Sequence, residues 1–109
     1  MFGRDKTAVD VETASQMAAD DGYVILDVRT ARERAQGYPP GSVHMVLETI
    51  PERLAELQGT KVLAFCRSGN RSGAAARFLS QHDIEAHNVE GGILAWSRAG
   101  LPLKEGSKT

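Results

Sequence analysis

The 109-residue sequence predicts one small domain of the α/β class, a mainly parallel sheet packed against helices. Three observations lead there. Short apolar runs alternate with helically spaced segments along the chain, the order that builds parallel strands. Two of those runs, "YVILDV" (Tyr23 to Val28) and "KVLAF" (Lys61 to Phe65), are continuous, as strands buried on both faces are. The length suffices for a single core and is too short for two.

The elements follow in order. Ala8–Val9 is a very short strand candidate. Asp10 is a good N-cap, and Val11, Ala14 and Ala18 behind it keep helical spacing. Tyr23 to Val28 is the first long strand, and Val43–His44 is another very short candidate. Ile50, Leu54 and Leu57 mark a second helix, with Pro51 near its first turn and Gly59 just past its end. Lys61 to Phe65 is the next strand. A third helix, starting near Ser72 or Gly73, carries Ala75, Phe78, Leu79 and His82 on its stripe. "IEAHNV" (Ile84 to Val89) alternates and reads as a further strand. "GGILAWSRAG" (Gly91 to Gly100) gives a short last helix in which Ile93 and Trp96 share a face, which makes Trp96 a core or rim aromatic. The expected core runs from about residue 8 to 103, and residues 104–109 have the composition of a flexible, solvated tail.

Composition narrows the function classes. Hydrophobic residues make up 41% and charged residues 25% of the chain, as in an ordinary globular protein. A net charge of −1 argues against a nucleic-acid or anionic-membrane partner, which would require a basic excess. The single cysteine cannot form an internal disulfide. "MFGRDKTAVDVE" lacks the apolar stretch of a signal peptide, and no apolar run reaches membrane length, so a cytoplasmic setting is expected. His44, His82 and His87 show no metal-ligand spacing with one another or with Cys66, and neither metal nor cofactor is expected.

The chemistry concentrates at "CRSGNRS". Cys66 follows a buried strand and precedes a helix, so Cys66, Arg67, Ser68, Gly69, Asn70 and Arg71 form a strand-to-helix loop at the carboxyl edge of the sheet. Successive loop N–H groups and the helix N-terminus make such a loop a concave anion site. Gly69 and Gly73 allow the curvature, and Ser72 is a plausible cap for the helix. A free thiol of pKa near 8.5 is only about 3% ionised at neutral pH. Lowering that pKa by about two takes roughly 2.7 kcal/mol, of which a helix N-terminus supplies at most about 2. Loop N–H groups, with charge from Arg67 and Arg71, are expected to provide the rest and make Cys66 a nucleophile. The bland alternative, a small buried residue closing a strand, leaves the polar run "RSGNRS" unexplained. Arg67, Arg71 and Arg77 form a local basic cluster suited to a small anion. Asp27 and Arg29 close the first long strand. Asp27 is expected to stabilise a turn, and Arg29 to pair with Glu33 at helical spacing.

These residues resemble the rhodanese-like sulfurtransferases. "CRSGNRS" is similar to that family's active-site loop, a cysteine followed five positions later by arginine and then Ser or Thr. "DVRTARERAQGYPPGS" (Asp27 to Ser42) and "GGILAWSRAGLP" (Gly91 to Pro102) resemble its other two signatures, in order and in register. Arg34 stands where the family often has an aromatic residue, Tyr38 and Pro39 where it often has His-Ile, and His44 near a frequent Asn. The resemblance implies a three-layer α/β/α fold around a small, mainly parallel sheet. It also implies a persulfide cycle: Cys66 takes the outer sulfur of a donor such as thiosulfate and passes it to cyanide or a thiol. By analogy Arg71 closes the loop, while Arg67 meets the sulfonate of an incoming anion. The implied partners are small sulfur-containing anions and a thiol-bearing acceptor protein. A carrier that delivers sulfur to a protein with little small-molecule turnover fits the same residues. Related cysteine phosphatases and arsenate reductases have one more residue between cysteine and arginine, so the four residues "RSGN" favour sulfur over phosphate.

Overall fold

A computed structural model describes residues 7–105. The elements are α1 (Val11–Asp20), β1 (Tyr23–Asp27), α2 (Ala31–Ala35), β2 (Val43–His44), a 3₁₀ segment (Leu47–Leu57), β3 (Lys61–Phe65), α3 (Asn70–Gln81), β4 (Glu85–Asn88) and α4 (Gly92–Arg98). The strands form one parallel sheet in the order β2-β1-β3-β4. Asp27 pairs with both His44 and Phe65, and Ala64 pairs with Asn88, so all four strands finish at one edge. Val9 bridges Val89 in parallel, so the candidate at Ala8–Val9 is a single bridge beyond β4. From β1 the chain steps to β2 on one side, and β3 then lies on the other. The connections after β1 and β3 therefore part above the sheet edge, the geometry that opens a ligand crevice.

Two apolar layers sandwich the sheet. Leu26, Val28, Val62 and Ala64 pack with Ala75, Ala76 and Leu79 of α3 and with Ile50 and Leu57. On the other face Ile25, Leu63 and Phe65 pack with Val11 and Ala14 of α1 and Trp96 of α4. Alternate side chains of β1 and β3 thus enter opposite layers, which is why both strands read as unbroken apolar runs. Trp96 is buried edge-on to Phe65, with ring centroids 5.8 Å apart, and its Nε1–H donates to the Pro102 carbonyl at 2.7 Å.

Local chemistry explains the boundaries and the departures from expectation. Asp10 caps α1 by accepting the Thr13 N–H at 2.8 Å. The stripe Ile50–Leu54–Leu57 faces the core, but its backbone is 3₁₀ rather than α-helical. Pro51 lies inside it without an N–H, and Arg53 breaks the helical dihedrals at φ −117°, ψ 17°. The expected tail is also corrected at its start. Lys104 exchanges two 2.8 Å backbone hydrogen bonds with Tyr38, a pairing invisible to composition alone. Residues 106–109 of the expected tail lie outside the described residues. No helix among the described residues is long and apolar enough to cross a membrane.

Candidate active site

Cys66 is the first residue past β3, and its position is held from behind by α4. The Ile93 N–H donates to the Cys66 carbonyl at 2.9 Å, and the Leu94 N–H to the Arg67 carbonyl at 3.2 Å. This approach requires Gly92, at φ 51°: a Cβ there would lie 2.1 Å from the Cys66 oxygen and 2.6 Å from the Arg67 oxygen. The Gly-Gly pair is therefore what lets α4 seat against the loop. Ahead of the sulfur, Gly69 turns the chain through φ 108° and becomes the N-cap residue of α3.

The turn brings donors onto Sγ. The Gly69 N–H lies 3.1 Å away, the Ser72 N–H 3.4 Å and the Ser72 hydroxyl 3.2 Å. Burial pushes the Cys66 thiol up. Against it act the Ser72 hydroxyl and N–H and the Gly69 and Ser68 N–H groups, and they prevail: the pKa falls below that of an ordinary cysteine. The residue is 1% exposed.

The arginines are arranged differently from expectation. Arg71 forms a bidentate pair with Glu33 of α2, at 2.7 and 2.8 Å. That pair, above all the hydrogen bonds from Arg71, takes the Glu33 carboxyl down to about 2. The pair raises Arg71 in turn, with a smaller contribution from the Cys66 charge. Arg71 therefore closes the loop onto α2, and its charge is largely offset by Glu33. Hydrogen bonds from Ser72, Gly69 and Ser68 are the main interactions that lower the Cys66 pKa, with Arg71 coupled to the Cys66 charge as a smaller contribution. Arg67, Ser68 and Asn70 of the loop are exposed, as is Arg77 further along α3.

Asp27 and Arg29 do not join the cradle. Asp27 is fully buried and accepts Arg29 Nε and a terminal guanidinium nitrogen, both at 2.8 Å, together with the Arg29 N–H at 3.1 Å. The expected Arg29–Glu33 ion pair is replaced by Arg29–Asp27 and Arg71–Glu33, because Arg29 precedes α2 and reaches only the Glu33 carbonyl, at 3.4 Å. Arg34 adds a second cation to Asp27 at 3.1 Å, bonds Ser42, and stacks 3.9 Å over the Tyr38 ring. Arg34 and Tyr38, two of the positions that depart from the expected pattern, thus pack on each other. His44 bonds the Arg29 carbonyl at 2.7 Å, and no group of three metal-ligating side chains occurs among the described residues.

Ser72 is not the cap. Helical dihedrals begin at Asn70, since the left-handed Gly69 has already turned the chain, and Ser72 sits buried in the first turn. Its hydroxyl also lies 2.6 Å from Asn88 Oδ1, and Asn88 Nδ2 donates to the Gly69 carbonyl at 3.1 Å. Glu33 and Asn88 join the site through long-range contacts that the sequence does not disclose, yet both carry local signals. Thr30 and Glu33 form a capping box, with Thr30 N–H to Glu33 Oε1 at 2.9 Å and Glu33 N–H to Thr30 Oγ at 3.2 Å. Asn88 is a polar residue at an inward position of an alternating strand.

Comparisons with known proteins bear on the family and the fold. Residues 10–99 match the rhodanese-like domain family. A sulfurtransferase of Allochromatium vinosum is 41% identical over 98 residues, covering 87% of this chain and 92% of that protein. A rhodanese-like domain protein of Staphylococcus aureus superposes with a TM-score of 0.82 at 30% identity, covering 93% of this chain and 99% of its own. A rhodanese-related protein of Thermoplasma volcanium gives 0.82 at 31% identity, over 89% of this chain and 96% of its own.

Proposed function

The chain belongs to the rhodanese-like domain family, and from that membership and the cradle around Cys66 we propose a sulfurtransferase that works through a Cys66 persulfide. The observation that carries the reading is the set of donors on Sγ: two N–H groups and one hydroxyl within 3.4 Å. They favour the thiolate without a general base.

With thiosulfate as donor, the Cys66 thiolate attacks the outer sulfur. A new S–S bond forms, the bond to the sulfonate breaks, and sulfite leaves with its electron pair. The product, Cys66–S–S⁻, is an anion suited to a loop of N–H donors. An acceptor such as cyanide or a thiolate then attacks the outer sulfur, and the electron pair of the breaking S–S bond returns to Sγ. Neither step transfers a proton. Exposed Arg67 meets the sulfonate of the donor, whereas Arg71 holds the loop through Glu33. A thiol-bearing protein is an acceptor of the same chemical class.

Sulfite release from thiosulfate tests the assignment. With cyanide present, sustained release that is absent from Cys66→Ser is expected. A single stoichiometric burst instead identifies a carrier that serves a protein acceptor. Hydrolysis of an aryl phosphate without sulfite release would overturn the sulfurtransferase reading.

A further inference from the structure

Asn88, at the end of β4, bonds to two groups of the cradle. Its Nδ2 donates to the Gly69 carbonyl at 3.1 Å, and its Oδ1 lies 2.6 Å from the Ser72 hydroxyl. The first contact fixes the amide: turned over, it would set Oδ1 against the Gly69 carbonyl oxygen. Ser72 Oγ has one proton to donate and two acceptors in reach, Asn88 Oδ1 at 2.6 Å and Cys66 Sγ at 3.2 Å. Ser72 is fully buried and Asn88 is 9% exposed, so little water is available to take over either contact.

We propose that Asn88 is a positioning residue that holds the Ser72 hydroxyl while Sγ is uncharged and yields it to Sγ when charge appears there. In the resting thiol, S–H donates to Ser72 Oγ and the hydroxyl to Asn88 Oδ1, a satisfied chain. When the thiolate forms, the hydroxyl rotates to Sγ. In the persulfide the charge moves to the outer sulfur, and the hydroxyl returns to Asn88. As an acceptor removes the outer sulfur, the electron pair of the S–S bond goes to Sγ and the hydroxyl turns to it again. The Ser72 proton stays on its oxygen throughout. Arg71 of the same loop is the charged group coupled to Cys66, with Glu33 of α2 paired to Arg71 and Asp27 at the end of β1 acting on Arg71, while the next residue, Arg67, is exposed. The last steps rest on the sulfurtransferase reading, whereas the competition between Asn88 and the thiolate does not.

The rate of iodoacetamide alkylation against pH reads the competition directly, since Cys66 is the only cysteine and no sulfur donor is involved. Ser72→Ala should raise the titration midpoint by about one pH unit, about a tenfold change in the ionisation constant. Asn88→Ala should move it the other way, by about half a pH unit, and should leave it unmoved when made in the Ser72→Ala protein. Should the alanine variant not fold, Asn88→Asp keeps the acceptor and nearly the same volume. It is then expected to raise the midpoint more with Ser72 present than in the Ser72→Ala protein. Equal shifts in the two backgrounds, an upward shift or no shift for Asn88→Ala would overturn the proposal. Failure of sulfur transfer would leave this titration unaffected, so the two readings fail separately.

Discussion

A single sulfur atom carries the proposed chemistry, and the residues touching it set the sharpest expectations. Cys66→Ser replaces the thiol by a group of similar size and far higher pKa. Sulfite release should vanish while the unfolding free energy from a urea titration changes by less than about 1 kcal/mol. Retained activity would exclude the thiolate. Gly92 makes a steric prediction of a different kind. An alanine Cβ would fall 2.1 Å from the Cys66 carbonyl oxygen, at a left-handed φ of 51°. Overpacking and backbone strain together should cost about 2–4 kcal/mol in a denaturant titration, and the loop should lose activity in the fraction that stays folded. A neutral Gly92→Ala would mean that α4 does not seat on the loop in this way.

Between elements, two ion pairs tie the connection after β1 to the sheet and to the loop after Cys66. Arg71–Glu33 joins α3 to α2, and its bidentate geometry needs a planar fork. Arg71→Lys should lower kcat/KM for sulfur transfer about tenfold or more, with the charge preserved. Full activity would reject the clamp. Glu33, whose folded-state pKa of about 2 lies below its ordinary value, stabilises the fold when ionised. That stabilisation is complete above the ordinary carboxylate pKa and is lost as pH falls toward 2. The stability advantage of the native chain over Glu33→Gln should therefore shrink between about pH 5 and pH 2. A constant difference in urea midpoint across that window would contradict it. The second pair is deeper. Removing Arg29 leaves Asp27 buried with Arg34 as its remaining cation, so Arg29→Leu should destabilise by about 3 kcal/mol. A midpoint within experimental scatter of the native chain would show the pair to be dispensable.

For the whole molecule, what the sequence discloses divides by the range of the interaction. β1 and β3 are legible because both faces are apolar, and the loop at Cys66 because a polar run breaks the strand at a known edge. The carboxyl-edge placement of Cys66 follows from that local order alone. Contacts between distant segments are not legible in the same way. Arg71 is local to Cys66 in sequence, but Glu33 lies 38 residues away and competes for its charge. Arg29 and Glu33 have helical spacing, yet α2 begins only at Ala31, so Arg29 lies before the helix and turns to Asp27. The Lys104–Tyr38 pairing and the Asn88–Ser72 contact likewise join separate elements. The motifs thus point to the site, while its electrostatic balance emerges only when β1, β3 and β4 share one edge.

The most direct test is intact-protein mass spectrometry after brief exposure to thiosulfate or a low-molecular-weight persulfide. The account predicts a gain of one sulfur atom, reversed by cyanide and absent from Cys66→Ser. No gain with either donor, or a gain that survives the substitution, would contradict it.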